Sequence, residues 1–361
     1  MSSTVLMVGT RKGLWIGRSD ESRLDWSWTG PHFNMEEVYS CMIDTRGETP
    51  RLLVGSSSSW LGPQVSRSDD LGETWEQTPN GAVRFPDDTD ASVERVWQLA
   101  PGADPSVVYA GTEPGAIFRS EDRGETFTLE RALWDHPQRP EWGAGFGGQA
   151  FHTVLPHPTD PQTVTAAIST GGVYQTTDGG ATWTARNQGI RADFQPEDQR
   201  YPEFGQCVHK VARHPDRPDR MFLQNHGGVY RSDDAGASWQ SIAEGLPSDF
   251  GFPIVVHPHE PDTIYVLPLS GGDGRFPPEG KARVWRSRDA GDTWEELGKG
   301  LSDEFFVGVM RDAMCADTHD STGIYFGARN GSVWASVDSG DSWREIKEDL
   351  PDVMVVRAAR V

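Results

Sequence analysis

The chain has 361 residues, with 33 lysines and arginines against 54 aspartates and glutamates, so its formal net charge at pH 7 is −21. This acidic balance repels phosphate backbones and excludes nucleic acid as a partner. The sequence contains no apolar run of membrane-spanning length and no charged-then-apolar leader over residues 1–12, so it predicts a cytoplasmic protein that binds no membrane.

The N-terminal part of the chain predicts three β-strands, at residues 4–10, 14–18 and 26–29. Each is a short apolar run, and the residues between them are rich in Gly, Ser and Asp, which favour turns. The innermost strand of a four-stranded sheet is missing from this set. Residues 353–359, an apolar run at the opposite end of the chain, are predicted to supply it.

Six copies of one motif, Ser/Thr-x-Asp-x-Gly-x-Thr/Ser-Trp/Phe, follow at intervals of 49 to 56 residues. Each interval contains short apolar runs, for example residues 151–155, 164–169, 173–176 and 183–186, and no segment shows sustained helical periodicity. Four short strands at a period of this length indicate the blades of a β-propeller. The aspartates of the six copies are Asp70, Asp122, Asp178, Asp234, Asp289 and Asp338.

Six motif copies and one degenerate copy at residues 19–25 predict an all-β chain, a single seven-bladed β-propeller of four-stranded antiparallel blades. Strands from both termini share one blade and close the ring, which leaves no open sheet edge. We therefore expect one domain over residues 1–361. The motif aspartates fit structural turns, because one carboxylate per turn falls well short of the oxygen ligands that calcium needs.

The repeated motif resembles that of the Asp-box, or BNR-repeat, propellers, a family that includes sialidases, xyloglucan-cleaving glycoside hydrolases, sortilin-type receptors and a photosystem assembly factor. The resemblance implies the propeller fold, with the motif on the far side of each blade from the binding face. It does not imply a true sialidase, because the sequence lacks the Arg-Ile-Pro element of those enzymes. The xyloglucan-cleaving relatives hold their substrate between two tandem propellers, and a single propeller departs from that arrangement.

Propellers offer a ligand site at the mouth of their central channel, where loops from every blade converge. Histidines mark equivalent turns at the ends of three innermost strands, and these are His157, His214 and His257. The ring of positions predicted five residues upstream contains His152, His209 and Phe252 and, from the other blades, Tyr39, Arg95 and Asp352. This ring predicts a polar mouth and not an apolar plug.

Further polar residues come from loops between second and third strands and from two long connections, residues 133–149 and 189–206. Long loops on a rigid scaffold usually carry function, so we expect these connections to overhang the pocket. The candidate ligand-binding residues are Arg95, Trp134, Glu141, Trp142, Arg191, Tyr201, Gln206, Asn225 and Arg329.

Three interpretations of the histidines stay open at this stage. In the first, they bind a divalent metal such as zinc, which prefers imidazole and thiolate ligands. In the second, a histidine oriented by a carboxylate is a general acid or base. In the third, they only satisfy backbone groups around a water-filled channel. The candidate metal ligands are His152, His209 and His226, with Cys207, Glu203 or water completing the shell, and the candidate catalytic residues are His152, His209, Glu203 and Asp352.

The sequence therefore predicts a pocket for a polar small molecule or a carbohydrate, with hydrolase or lyase chemistry by a histidine and a carboxylate. The alternative is a non-catalytic docking or assembly-factor propeller that binds a protein partner. A narrow polar pocket favours the first function, whereas a broad charged or aromatic face favours the second.

Overall fold

The computed structural model describes residues 3–77, 82–143, 148–272 and 274–361. They form seven four-stranded antiparallel sheets in a ring, which is the seven-bladed propeller that the sequence predicts. Within the described ranges no helix is long and apolar enough to cross a membrane. The helical segments described are α1 (Arg131–Trp134) and the 3-10 turns Asp87–Thr89, Arg139–Glu141, Glu197–Gln199 and Pro278–Gly280.

The strands are numbered in chain order, and each blade after the first contains four consecutive ones. Blade one contains β1 (Thr4–Thr10), β2 (Gly13–Ser19) and β3 (Ser27–His32), and blade two contains β4 (Glu37–Asp44), β5 (Arg51–Ser58), β6 (Gly62–Ser68) and β7 (Glu76–Gln77). Blade three contains β8 (Arg95–Pro101), β9 (Val108–Glu113), β10 (Ala116–Ser120) and β11 (Thr128–Leu129). Blades four and five contain β12 (Phe151–Pro156), β13 (Val164–Ile168), β14 (Gly172–Thr176), β15 (Thr184–Ala185), β16 (Val208–Arg213), β17 (Met221–Asn225), β18 (Val229–Ser232) and β19 (Gln240–Ser241). Blades six and seven contain β20 (Gly251–Val256), β21 (Ile264–Pro268), β22 (Val284–Ser287), β23 (Glu295–Leu297), β24 (Met314–Ala316), β25 (Ile324–Gly327), β26 (Val333–Ser336) and β27 (Arg344–Lys347), and the last strand is β28 (Val353–Arg360).

The ring is closed by strands from both ends of the chain. β28 pairs antiparallel with β1, so the first sheet has the order β28, β1, β2, β3 and gains the innermost strand that its N-terminal part lacks. A buried ion pair reinforces the closure, because Arg23 of blade one donates to Asp317 of blade seven at 2.9 Å. Closure by paired termini is confirmed, and it fixes the seven innermost strands around one axis.

Motif tryptophans contact the preceding blade, as two of them show. The indole nitrogen of Trp239 in blade five donates to the carbonyl of Arg186 at 2.9 Å, and that of Trp294 in blade six donates to Ile242 at 2.8 Å. Trp239 is buried in an apolar cluster that includes Ile190. At these two junctions aromatic burial and a satisfied indole hold neighbouring blades together. The indole nitrogens of Trp183 and Trp343 have no hydrogen-bond partner among the described residues, so these two side chains contribute through burial.

Each motif forms a tight turn whose aspartate accepts hydrogen bonds from its own turn. Asp178 accepts from the Thr182 backbone nitrogen at 2.9 Å, the Thr182 hydroxyl at 2.6 Å and the Thr176 hydroxyl at 2.8 Å. Gly180 lies in the left-handed region, with φ of 94°, where glycine carries no steric penalty. In all six copies the residue four positions after the aspartate donates both its backbone N–H and its hydroxyl to that carboxylate. These carboxylates therefore stabilise the turns.

These turns predict a loss of stability in acid. Hydrogen bonds from Thr182 and Thr176 lower the pKa of Asp178 to about 2. Because this folded-state pKa lies below the unfolded value, the stabilisation is complete above about pH 4 and is lost as the pH falls towards 2. We expect Asp178→Asn to show a weaker pH dependence of unfolding free energy in that window, measured by denaturant titration. The exposed Asp25→Asn variant should match the wild type, and equal behaviour of all three proteins would contradict the prediction.

Candidate ligand site at the channel mouth

In six of the seven innermost strands, the register of pairing with the neighbouring strand shifts, so that at least one residue is left without a partner. In β8, for example, the register shifts between Val96 and Gln98, so Trp97 has no partner in β9. Such bulges release a residue from the ladder and re-aim its side chain, and they are frequent beside binding sites. The residues released in this way are Met354, Tyr39, Trp97, His152, His209 and Phe252, the last together with Pro253.

This ring corrects the sequence prediction at two positions. Trp97 and Met354 occupy the places expected for Arg95 and Asp352, which lie two residues earlier in the chain. The Tyr39 and Trp97 rings are 4.8 Å apart, and both belong to one apolar cluster with Met354. The ring at the floor of the mouth is therefore largely apolar, and the predicted arginine and aspartate are not part of it.

A cavity of about 970 Å³ opens at this ring. Of the predicted site residues, those that line it are His209, His226, Arg95, Arg329 and Asp352, together with Cys207. The ring residues Tyr39, Trp97, Phe252 and Met354 line it as well. The cavity thus combines an aromatic floor with a small number of charged and metal-ligating side chains, the composition typical of a small-molecule site.

The rim arginines are engaged by carboxylates. Arg95 donates to Glu113 at 3.0 Å, and Arg329 donates to Asp352 at 2.7 Å. Arg11 also approaches Asp352, at 3.5 Å. These pairs are partly solvated, so they orient the rim and contribute little to stability. Asp352, which the sequence offers as a partner for a histidine, is instead held by two arginines.

The two predicted histidines lie in different surroundings. His209 Nδ1 is 2.6 Å from the carbonyl of Gly251, which can only accept, so Nδ1 carries the hydrogen and Nε2 keeps its lone pair. His152 is completely buried, outside the lining of the cavity, and its Nε2 has no hydrogen-bond partner among the described residues. Burial lowers the pKa of both imidazoles well below 6.5, so both are neutral at pH 7.

Most of the predicted residues in the long connections lie away from the cavity. Trp142 is buried and donates to the Tyr174 hydroxyl at 2.7 Å, while Gln206 and Asn225 are buried and donate to backbone carbonyls at 2.7 and 2.8 Å. These connections fold onto blades four and five because their aromatic and amide groups find partners there. Residues 144–147 lie outside the described residues. The predicted site residues placed outside the cavity are His152, Glu203, Trp134, Glu141, Trp142, Arg191, Tyr201, Gln206 and Asn225.

Arg311 is the functional candidate that the sequence reasoning missed. It lines the cavity, is 7% exposed, and has its guanidinium 5.3 Å from the ring centre of Trp97 and 5.7 Å from that of Phe252. Its Nε has no hydrogen-bond partner, and no carboxylate in the described part of the chain forms an ion pair with it. Burial lowers the pKa of Arg311, yet a guanidinium stays protonated in proteins.

The residues next to Arg311 add further positive charge. Asp312 is buried and accepts from Lys210 at 2.7 Å and from Arg357. Burial alone would raise the pKa of Asp312, but Lys210 and Arg357 lower it below its ordinary value. One carboxylate therefore stands among three cations, and the channel is locally cationic within a strongly acidic protein. Such a field attracts anions into the mouth.

No protein-family model matches the chain. It is similar to a xyloglucanase from Paenibacillus sp., with 28% identity over 267 residues that cover 68% of this chain and 25% of the xyloglucanase. The chain therefore spans about a quarter of the length of that relative.

Three solved structures have a similar fold. An ancestral GH74 enzyme has a TM-score of 0.61 and 16% identity, covering 87% of this chain and 39% of that enzyme. The GH74 enzyme of Niastella koreensis has a TM-score of 0.58 and 17% identity, covering 85% and 45%. YCF48 bound to D1 peptide has a TM-score of 0.55 and 13% identity, covering 85% and 81%. At these identities the likeness concerns the fold, and the chain has a xyloglucanase-like seven-bladed propeller fold.

Proposed function

We propose that the cavity binds a small polar ligand of the saccharide class that carries a carboxylate or another anionic group, and that the protein cleaves this ligand. The observation that carries the proposal is the buried guanidinium of Arg311, which lines the cavity without an ion-pair partner in the described chain. Buried charges in proteins are otherwise paired. A ligand anion would supply the missing partner.

Arg311 has the geometry for this role. A planar guanidinium binds a carboxylate through two parallel hydrogen bonds, and such bonds are stronger in a cavity than in water. The guanidinium lies within cation–π distance of the Trp97 and Phe252 rings. The aromatic floor then supports the apolar faces of the ligand, while the charged rim contacts its hydroxyl groups.

Cleavage of the ligand, by hydrolysis or by elimination, is the reaction class that we assign to this site. The similarity to a xyloglucanase supports the saccharide class. His209 has an Nε2 lone pair in the cavity wall that accepts from the Cys207 thiol, and this nitrogen suits either proton transfer or metal binding. The pairing of a histidine with Glu203 or Asp352, which the sequence suggests, has no supporting contact, since Glu203 is exposed and accepts from Gln138.

A comparison of ligands tests the proposal. We expect oligosaccharides that contain a uronic acid to bind and to be cleaved, because their carboxylate pairs with Arg311. Neutral xyloglucan oligosaccharides of the same length should bind at least about 10-fold more weakly, since a buried cation would stay unpaired. Isothermal titration calorimetry measures binding, and reducing-end and unsaturated-product assays measure the two modes of cleavage. Equal affinity for neutral and acidic oligosaccharides would overturn the proposal.

Protein docking is the second candidate function. Phe194 and Phe306 line the cavity and are 55% and 64% exposed. Exposed aromatic residues around a cationic pocket suit an acidic peptide segment. The same titration with acidic peptides separates the candidates, because tight peptide binding without saccharide binding would favour docking.

A further inference from the structure

Three metal-ligating side chains meet in one wall of the cavity. The sulfur of Cys207 and one ring nitrogen each of His209 and His226 all lie within 4.8 Å of one another. Thiolate and neutral imidazole are preferred ligands of Zn²⁺, and a tetrahedral ion bound at about 2.0–2.3 Å would bring them roughly 3.5 Å apart. Small side-chain rotations are enough to close that distance. His152, which the sequence places among the ligands, is not part of this group.

His209 is already oriented for a metal. Its Nδ1–H donates to the carbonyl of Gly251 at 2.6 Å, so Nε2 carries a lone pair that accepts from the Cys207 thiol. That Nε2 lies 3.7 Å from the Cys207 sulfur. An acceptor that binds the far ring nitrogen is the usual support of a metal-binding histidine, since it fixes the tautomer and the ring plane.

The backbone holds the three ligands in one frame. Val208, between Cys207 and His209, pairs with Asn225, which directly precedes His226. The His226 backbone nitrogen also donates to the Cys207 carbonyl at 2.9 Å. The strand that enters blade five and the turn that returns from it are therefore tied together at the level of the ligands. Such preorganisation reduces the ordering that metal binding must impose.

The surroundings leave one side of the cluster open. His209 stacks on Phe252 at 4.7 Å, and the His226 ring lies edge-on to Phe250 at 5.0 Å. All three ligands line the cavity, and Phe250 and Phe252 line it beside them, so the cluster faces the cavity. Three protein ligands with a free position towards a pocket characterise catalytic zinc sites, whereas structural sites have four.

We infer that Cys207, His209 and His226 bind a zinc ion whose fourth coordination position faces the cavity. On binding, the Cys207 thiol releases its proton to solvent and a zinc–sulfur bond forms, while the two imidazoles bind as neutral ligands. The inference goes beyond the proposed function, because zinc binding does not depend on any saccharide. If both hold, the ion polarises a ligand oxygen beside the anion held by Arg311.

Metal uptake by the full-length, tag-free protein tests the inference. After treatment with chelator and dialysis, titration with ZnCl₂ should give one site per chain by calorimetry. Co²⁺ in place of zinc should give a sulfur-to-cobalt charge-transfer band and visible bands of tetrahedral intensity. Cys207→Ser should abolish the charge-transfer band. It should lower zinc affinity by more than the roughly 100-fold that is lost when a residue hydrogen-bonded to a metal ligand is removed.

Two further variants keep the result decisive. His226→Asn replaces an exposed ligand, so it should fold normally and still lose zinc binding. His259→Asn replaces an exposed histidine outside the cluster and should bind zinc as the wild type does. No uptake by the wild type, or uptake that is unchanged in Cys207→Ser and His226→Asn, would overturn the inference. Zinc binding without acidic saccharide binding would instead remove only the proposed function.

Discussion

Replacing Arg311 with methionine is expected to weaken binding of the anionic ligand strongly and to leave the fold at least as stable as before. Truncating one partner of a buried charge pair costs about 2–5 kcal/mol in binding, which is roughly a 30- to 4000-fold loss of affinity. In the ligand-free protein the same guanidinium is buried without an ion-pair partner in the described chain. Its removal relieves a desolvation cost and loses only weak cation–π contacts, so we expect stability to rise by up to about 2 kcal/mol.

Calorimetric titration and denaturant unfolding of the same preparation measure both effects of Arg311→Met. The matched control is Arg329→Met, which removes a cavity-lining arginine that is half exposed and paired with Asp352. This control should change binding by less than about 10-fold, because exposed pairs contribute little. A methionine variant that is strongly destabilised would show that Arg311 supports the structure. Unchanged affinity would show that it does not contact the ligand.

The fold could be predicted from the sequence because its information is local and repeated. Each motif contains the turn aspartate, the glycine that takes a positive φ and a large aromatic residue, which is tryptophan in five copies and Phe127 in the second. The period then sets the number of blades. The closure was also predictable, since residues 353–359 have the pattern of an innermost strand without partners of their own. The cytoplasmic location stays a prediction.

The ring around the channel was predictable only in part. His152, His209, Phe252 and Tyr39 were placed correctly as residues of one level, because the strands that hold them have the same length before their marker turns. Blade three and the closing strand lack a histidine marker, and their predicted positions were two residues too early. An aromatic residue and a methionine therefore replace the expected arginine and aspartate, which changes the chemistry of the floor.

Arg311 was missed because blade seven carries weak strand signals. Its innermost strand, β24, has only three residues, and the residues before it have no regular pairing apart from one bridge between Asp312 and Val355. The structure contains one marker of the equivalent turn in blade seven. The Asp317 backbone nitrogen donates to the Gly323 carbonyl, just as the His157 backbone nitrogen donates to the Thr163 carbonyl in blade four. Aligned on that turn, the position five residues upstream is Asp312, directly after Arg311.

The cluster in blade five was partly predictable for a different reason. Cys207 and His209 lie two residues apart, and His226 follows the strand that pairs with them, so short sequence distances bring these residues together. His152 belongs to the neighbouring blade, and the angle between the two sheets decides whether its side chain can reach the cluster. Sequence spacing does not encode that angle, and the structure leaves His152 buried and outside the cluster.

Replacing Asp312 with asparagine should produce the largest loss of stability in the channel. Its carboxylate is buried and binds Lys210 of blade five and Arg357 of the closing strand, while its carbonyl accepts from the Val356 backbone at 2.9 Å. The variant would keep the shape but leave two cations without their counter-charge. Breaking a buried pair in this way costs about 3–5 kcal/mol.

Denaturant unfolding at pH 7 checks the cost of Asp312→Asn against Asp341→Asn, whose carboxylate pairs with Arg286 but is 59% exposed. The control should lose less than about 1 kcal/mol. Adding Lys210→Met to Asp312→Asn should restore part of the loss, because only Arg357 then stays unpaired. A cost for Asp312→Asn no larger than that of the control would mean that solvent reaches these charges, and the cationic field assigned to the channel would then be too weak to draw an anion to Arg311.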